Sequence, residues 1–169
     1  MTDGPGPSSN PLSDPEFVAG LRAVPSGLAD ESPSWEASDL TGTRPDGTSV
    51  TVGLDSVDRP LLLVFLSLDC DGCDTFWSGL SEGSDPVLGD VETVVVTKGP
   101  DRVSVDEVAA LARRMPRTTV VMGDAAWTDY RVTGYPFLVV VDPASRRILA
   151  EAVGFGWSDV AATIGAGLH

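Results

Sequence analysis

The chain's two cysteines, Cys70 and Cys73, stand three positions apart between a continuous apolar run and a stretch with helical spacing. The run, residues 61–66, is bounded by Pro60 and by the polar residues 69–74, the pattern of a central strand buried on both faces. Beyond it Cys73, Phe76, Trp77 and Leu80 recur at helical spacing, and Asp74 and Thr75 suit a first turn. A C-x-x-C at a strand-to-helix turn is a narrower signal than the spacing alone and points to redox chemistry. At a helix N-terminus the free backbone N–H groups and the macrodipole stabilise a thiolate, the species that attacks disulfides. Cys70, just outside the helix, is therefore expected to be the attacking thiol and Cys73 the resolving one. Their spacing lets the second sulfur close an intramolecular disulfide and release a substrate in reduced form.

Other uses of a cysteine pair fit less well. Two buried small hydrophobes would rarely be flanked by Asp69, Asp71 and Asp74, because charges resist burial. A structural zinc site needs four ligands, and the remaining candidate, the sole histidine, is His169 at the last position, so no metal is expected. One close pair is also not a framework of several structural disulfides.

Eleven basic residues against 25 acidic ones give a net charge of -14, which repels nucleic acid and anionic membrane surfaces. No stretch approaches the roughly 20 apolar residues that cross a bilayer, so no membrane span is expected. Residues 1–10 lack the basic and apolar segments of a secretory signal. Taken as complete, the chain is expected to be cytoplasmic; an extracytoplasmic protein trimmed of its leader or anchor would read the same way.

Length and a 42% hydrophobic content suit one domain plus a tail. Residues 1–34 are crowded with Pro, Gly, Ser and Asp and read as a flexible tail, with 35–169 as the domain. Within it, 49–54 alternates as a half-buried strand after the turn Pro45-Asp46-Gly47. Residues 91–96 form a second buried strand, and Ser104 to Glu107 open a helix as a capping box, with Val105, Val108, Leu111, Ala112 and Met115 as its apolar stripe and Pro116 closing it. Residues 118–122 follow as a strand, Asp124 caps a short helix reaching Tyr130, and 137–141 and 147–153 form a hairpin around Asp142-Pro143-Ala144-Ser145. Ser158 caps a last helix. The order, two strands, then βαβαβ, then a hairpin and a helix, predicts an α/β sandwich of three layers, its mostly parallel sheet ending in an antiparallel edge.

The stretch 61–73, followed about sixty residues later by 130–136 and then by 137–143, resembles the thioredoxin superfamily, and the resemblance spans about 35–165. It implies that Pro136 is a cis proline beside the C-x-x-C and that Tyr135 leaves its backbone free to pair with an extended substrate. The additional strand and helix over 91–122 are similar to the insertion of TlpA-like thiol-disulfide oxidoreductases, and Gly154 matches the family's glycine near the final helix. The resemblance thus implies a thioredoxin-like three-layer sandwich with a strand-helix insertion. It also implies dithiol-disulfide exchange with protein clients, fed by an unspecified electron donor, without a cofactor. Asp69 stands where the family often has Trp, Gly72 where it often has Pro, and Val64 where thioredoxin keeps a buried Asp. These departures favour a reductant or a dedicated maturation factor over a general thioredoxin.

Two further readings remain. Ser67, three residues before Cys70, matches the Ser or Thr of peroxiredoxins, although position 63 is Leu where their motif has proline. A non-catalytic thioredoxin-like binding module with structural cysteines is the other. Asp69, Asp71 and Asp74 crowd the cysteines, with no Lys or Arg over 61–97, and oppose the helix N-terminus in stabilising a thiolate, which predicts a reducing potential. Trp77, Trp127 and Trp157 suit the core first and a client groove second.

Overall fold

The computed structural model describes residues 36–82, 91–154 and 156–168; the tail expected over 1–34, and His169, lie outside them. Its centre is β3 (Leu61–Phe65), every residue of which is buried. Leu62, Val64 and the following Leu66 face one side of the sheet, while Leu61, Leu63 and Phe65 face the other. That two-sided burial is why the run is continuous rather than alternating. Each such side chain contributes about 1.5–3 kcal/mol by leaving water.

The sheet has seven strands in the order β2-β1-β5-β4-β3-β6-β7. Parallel pairing joins β3 to β4 (Glu92–Thr97) and β4 to β5 (Thr119–Met122). Antiparallel pairing adds β6 (Phe137–Asp142) and β7 (Arg147–Val153) on one side, and β1 (Leu40–Thr43) and β2 (Ser49–Val52) on the other. On the first face, α1 (Asp71–Glu82), α2 (Val105–Arg113) and α4 (Trp157–Leu168) contribute Phe76, Trp77, Leu80, Val108, Val160 and Ile164 to the core. The second face is covered by Leu54 and by Ala126, Trp127 and Tyr130 from α3 (Ala125–Asp129) and its end. The result is a thioredoxin-like three-layer sandwich with a mixed sheet, in which β4, α2 and β5 lie in the chain between the cysteine helix and β6.

Local differences from the sequence expectation have identifiable causes. Leu54 does not end a strand; it starts a 3-10 turn (Leu54–Ser56), its N–H donating to the Asp39 carboxylate at 2.9 Å. The Ser104 cap forms, its hydroxyl accepting from Glu107 N–H at 3.4 Å. Asp124 takes the N-cap position of α3, as expected, but its side chain makes no capping hydrogen bond. Its carboxylate accepts instead from Gly99 N–H at 3.0 Å and pairs with Arg102 at 3.1 Å, tying together the loops that follow β4 and β5. The last helix begins at Trp157, so Ser158 lies inside it.

Candidate active site

The C-terminal ends of β3 and β4 and the N-terminal end of β6 lie side by side, because Phe65 pairs with both Val96 and Phe137. Chain leaving β3 passes through Ser67 and Leu68 into the cysteines, and α1 begins at Asp71. Cys70 thus stands one residue ahead of the helix and Cys73 in its first turn. The two are joined as a disulfide, with Cα atoms 5.1 Å apart. Cys73 is fully buried against the first core, whereas Cys70 is half-buried.

Backbone amides converge on both sulfurs. Cys73 N–H, in the first turn of α1, donates to Cys70 Sγ at 3.1 Å as well as to the Cys70 carbonyl oxygen at 3.0 Å. Ser67 N–H points at Cys73 Sγ, 3.5 Å away. Ser67 is itself held by Trp77, whose indole N–H donates to its carbonyl oxygen at 3.4 Å. No carboxylate lies beneath the inner sulfur: Val64 is fully buried, and Thr97 is the one buried polar residue among the described ones.

The Tyr135-Pro136 peptide is cis. The Tyr135 carbonyl oxygen is 3.8 Å from Cys70 Sγ, bringing together residues 65 positions apart. The Tyr135 ring is 48% exposed, and its edge meets Trp127, with ring centroids 5.8 Å apart. Lys98, just past β4, lies over the same indole, 4.5 Å from its centroid. Trp127 is therefore core, as its residue type predicts, and also the support of the one exposed aromatic ring beside the cysteines. Val153, paired in register with Phe137, adds a second exposed apolar side chain at this corner.

All the residues singled out in the sequence, Asp69, Cys70, Asp71, Gly72, Cys73, Tyr135 and Pro136, fall on the two segments that meet here. Asp69, Asp71 and Asp74 are exposed. Lys98 escaped the sequence reading, since its placement depends on β4 ending beside β3. No group of three or more potential metal ligands occurs among the described residues.

No family model and no curated protein matches the chain. Solved structures do. A thiol:disulfide interchange protein of the thioredoxin family from Chlorobium tepidum is similar with a TM-score of 0.59 and 14% identity, covering 82% of this chain and 99% of that one. A thio-disulfide isomerase from Thermus thermophilus has a TM-score of 0.57 and 22% identity, covering 82% and 99%. A secreted Mycobacterium tuberculosis disulfide oxidoreductase, homologous to E. coli DsbE, has a TM-score of 0.56 and 18% identity, covering 75% and 95%. The fold is thus that of thioredoxin-like thiol:disulfide interchange proteins, and this chain carries a C-x-x-C disulfide at the start of α1.

Proposed function

We propose that this chain is a thiol-disulfide oxidoreductase that acts on protein disulfides as a reductant, in the manner of a dedicated maturation factor. The observation that carries the reading is the Cys70–Cys73 disulfide at the N-terminus of α1, with the outer sulfur half-exposed beside the Tyr135 carbonyl. In the reduced protein the Cys70 thiolate, held by the Cys73 N–H, attacks a client disulfide. The client's extended backbone pairs with the chain at Tyr135 and Pro136. The resulting mixed disulfide is resolved when Cys73 attacks Cys70, releasing the client as a dithiol. Asp69, Asp71 and Gly72 set the charge and shape around the outer sulfur. Val64 leaves Cys73 without a neighbouring proton acceptor, which favours slow, client-directed exchange over rapid general turnover.

The peroxide-reducing alternative is weakened by Ser67, whose hydroxyl accepts from Asp69 N–H at 3.3 Å within its own loop. The half-exposed Cys70 weakens the reading of a binding module with structural cysteines. No described helix is long and apolar enough to cross a membrane. Reduction of insulin by dithiothreitol tests the reading, with hydrogen peroxide consumption measured in parallel. Catalysis of insulin reduction that Cys70→Ser abolishes is the expected result. Peroxide consumption without insulin reduction would replace it with the peroxidase reading.

A further inference from the structure

Among the described residues, the three carboxylates around Cys70 have no ion-pair partner. Asp69 and Asp71 are its chain neighbours and Asp74 follows in the first turn of α1; all three are exposed. Among the described residues none forms an ion pair, whereas Asp39, Asp55, Glu92 and Asp124 all do. Residues 61–97 contain no Lys or Arg. Lys98, the cation just past β4, is engaged over the Trp127 ring on the Tyr135 side. The attacking sulfur thus has three exposed negative charges on the helix side, with Lys98 on the Tyr135 side.

Consecutive Cα atoms are about 3.8 Å apart, so these carboxylates act on a docked disulfide within the Debye length of about 8 Å at physiological salt. Charges of one sign lining a site raise the local concentration of opposite charge and the rate of encounter. We infer that the Cys70–Cys73 site selects cationic disulfides, its natural clients being proteins that carry Lys or Arg beside the disulfide cysteine. This rests on the oxidoreductase reading and names its substrate class.

The step balances without further reagents. Reduced Cys70 attacks one sulfur of R–S–S–R as thiolate, forming Cys70–S–S–R and expelling RS⁻, which takes a proton from water. Cys73, once deprotonated, attacks the Cys70 sulfur and expels the second RS⁻. Two electrons pass from the protein dithiol to the substrate, giving the protein disulfide and two RSH.

The test uses the reduced full chain and three small probes: cystamine, a dication; 2-hydroxyethyl disulfide, neutral; and 3,3′-dithiodipropionate, a dianion. Loss of protein thiols is followed at low and at high ionic strength. The expected result is a cation-to-anion rate ratio that falls at least about tenfold from 10 mM to 1 M salt, as screening predicts, with the neutral probe's rate falling between the two and reporting any change in thiolate fraction common to all three. The triple variant Asp69→Asn, Asp71→Asn, Asp74→Asn, checked for folding by circular dichroism, should lose most of this salt-dependent preference. A ratio that does not respond to salt, or a response that survives the triple variant, overturns the inference while leaving the parent reading intact. Failure of the wild-type chain to react even with the neutral probe overturns the oxidoreductase reading itself.

Discussion

Cys73 donates one backbone N–H to two acceptors of Cys70, the Sγ at 3.1 Å and the carbonyl oxygen at 3.0 Å. The outer sulfur thereby shares a donor with its own carbonyl oxygen at the start of the helix, while the inner sulfur is enclosed by the core. Iodoacetamide added to the reduced protein is therefore expected to modify Cys70 at least about tenfold faster than Cys73, the thiolate being the reacting species. Peptide mapping after a short pulse reads the ratio, and faster labelling of Cys73 would reverse the roles.

The redox potential depends on which influence on Cys70 is stronger. A helix N-terminus contributes about 0.3–1 kcal/mol to a nearby anion. A single carboxylate about 4 Å away opposes it by roughly 1 kcal/mol in water and more near a protein surface. On the proposed reading, three exposed aspartates outweigh one helix end, and the dithiol is expected to be a good electron donor. The potential should lie nearer the thioredoxin value of about -270 mV than the protein disulfide isomerase value of about -180 mV. Replacing the three aspartates by asparagine should raise it by about 10–30 mV, since stabilising the thiolate stabilises the reduced form. Equilibration with glutathione buffers, read by thiol trapping, gives both numbers.

Tyr130 links the end of α3 to the segment before β1: its hydroxyl donates to the Ser38 carbonyl at 2.6 Å and accepts from Ser38 N–H at 3.1 Å. Burial pushes its pKa up to about 12, from the ordinary tyrosine value of 10.0. Over that interval the unfolded chain has lost the phenolic proton and the folded chain keeps it, so stability falls as pH rises from about 10 to about 12. Below pH 10 this contribution is fully present. Urea midpoints measured across that range should drop, and Tyr130→Phe should flatten the drop while costing about 1 kcal/mol at pH 7 for the lost hydrogen bonds. An equally steep decline in the variant would assign the alkaline loss to other groups.

Gly79 marks the closest approach of α1 to Trp157 at the start of α4: a Cβ at this position would run into the indole, which also packs on Phe76 with centroids 4.8 Å apart. Gly79→Ala gains helix propensity of up to about 1 kcal/mol but overpacks this contact by about 1–3 kcal/mol. A net loss of about 1 kcal/mol in chemical denaturation is expected. Gly134→Ala, at which a Cβ meets nothing within 4 Å, serves as the contrast and should be neutral or slightly stabilising.

What could be read from the sequence followed from how local each signal is. Residues 61–66 announce a central strand because burial on both faces leaves no polar alternation, and the cysteines are placed by the periodicity that follows. The sequence order allows for a strand before β2 but sets no bounds for β1, because within Leu-Thr-Gly-Thr only Leu40 is buried and no alternation is visible. Its place is set by pairing with β2 and by Gly42, where a Cβ would meet the Met122 backbone. Asp124 has the local look of a helix cap, yet its partners lie 25 and 22 residues upstream. The Lys98–Trp127–Tyr135 stack is invisible for the same reason: three residues from three elements meet only once the strand order is fixed.

The pairing of Phe65 with Phe137 carries a consequence for how the protein comes into being. During synthesis both cysteines are added some sixty residues before Tyr135 and Pro136. β6 can dock against β3 only after the whole β4-α2-β5 insertion has been made. A nascent chain therefore holds its dithiol without the Tyr135–Pro136 segment beside it, and the two halves meet in a single late event, the zipping of β6 onto β3. The geometry around Cys70 is thereby tied to completion of the sheet, so a truncated chain that ends before β6 keeps its thiols but not the carbonyl and the exposed ring that stand next to them.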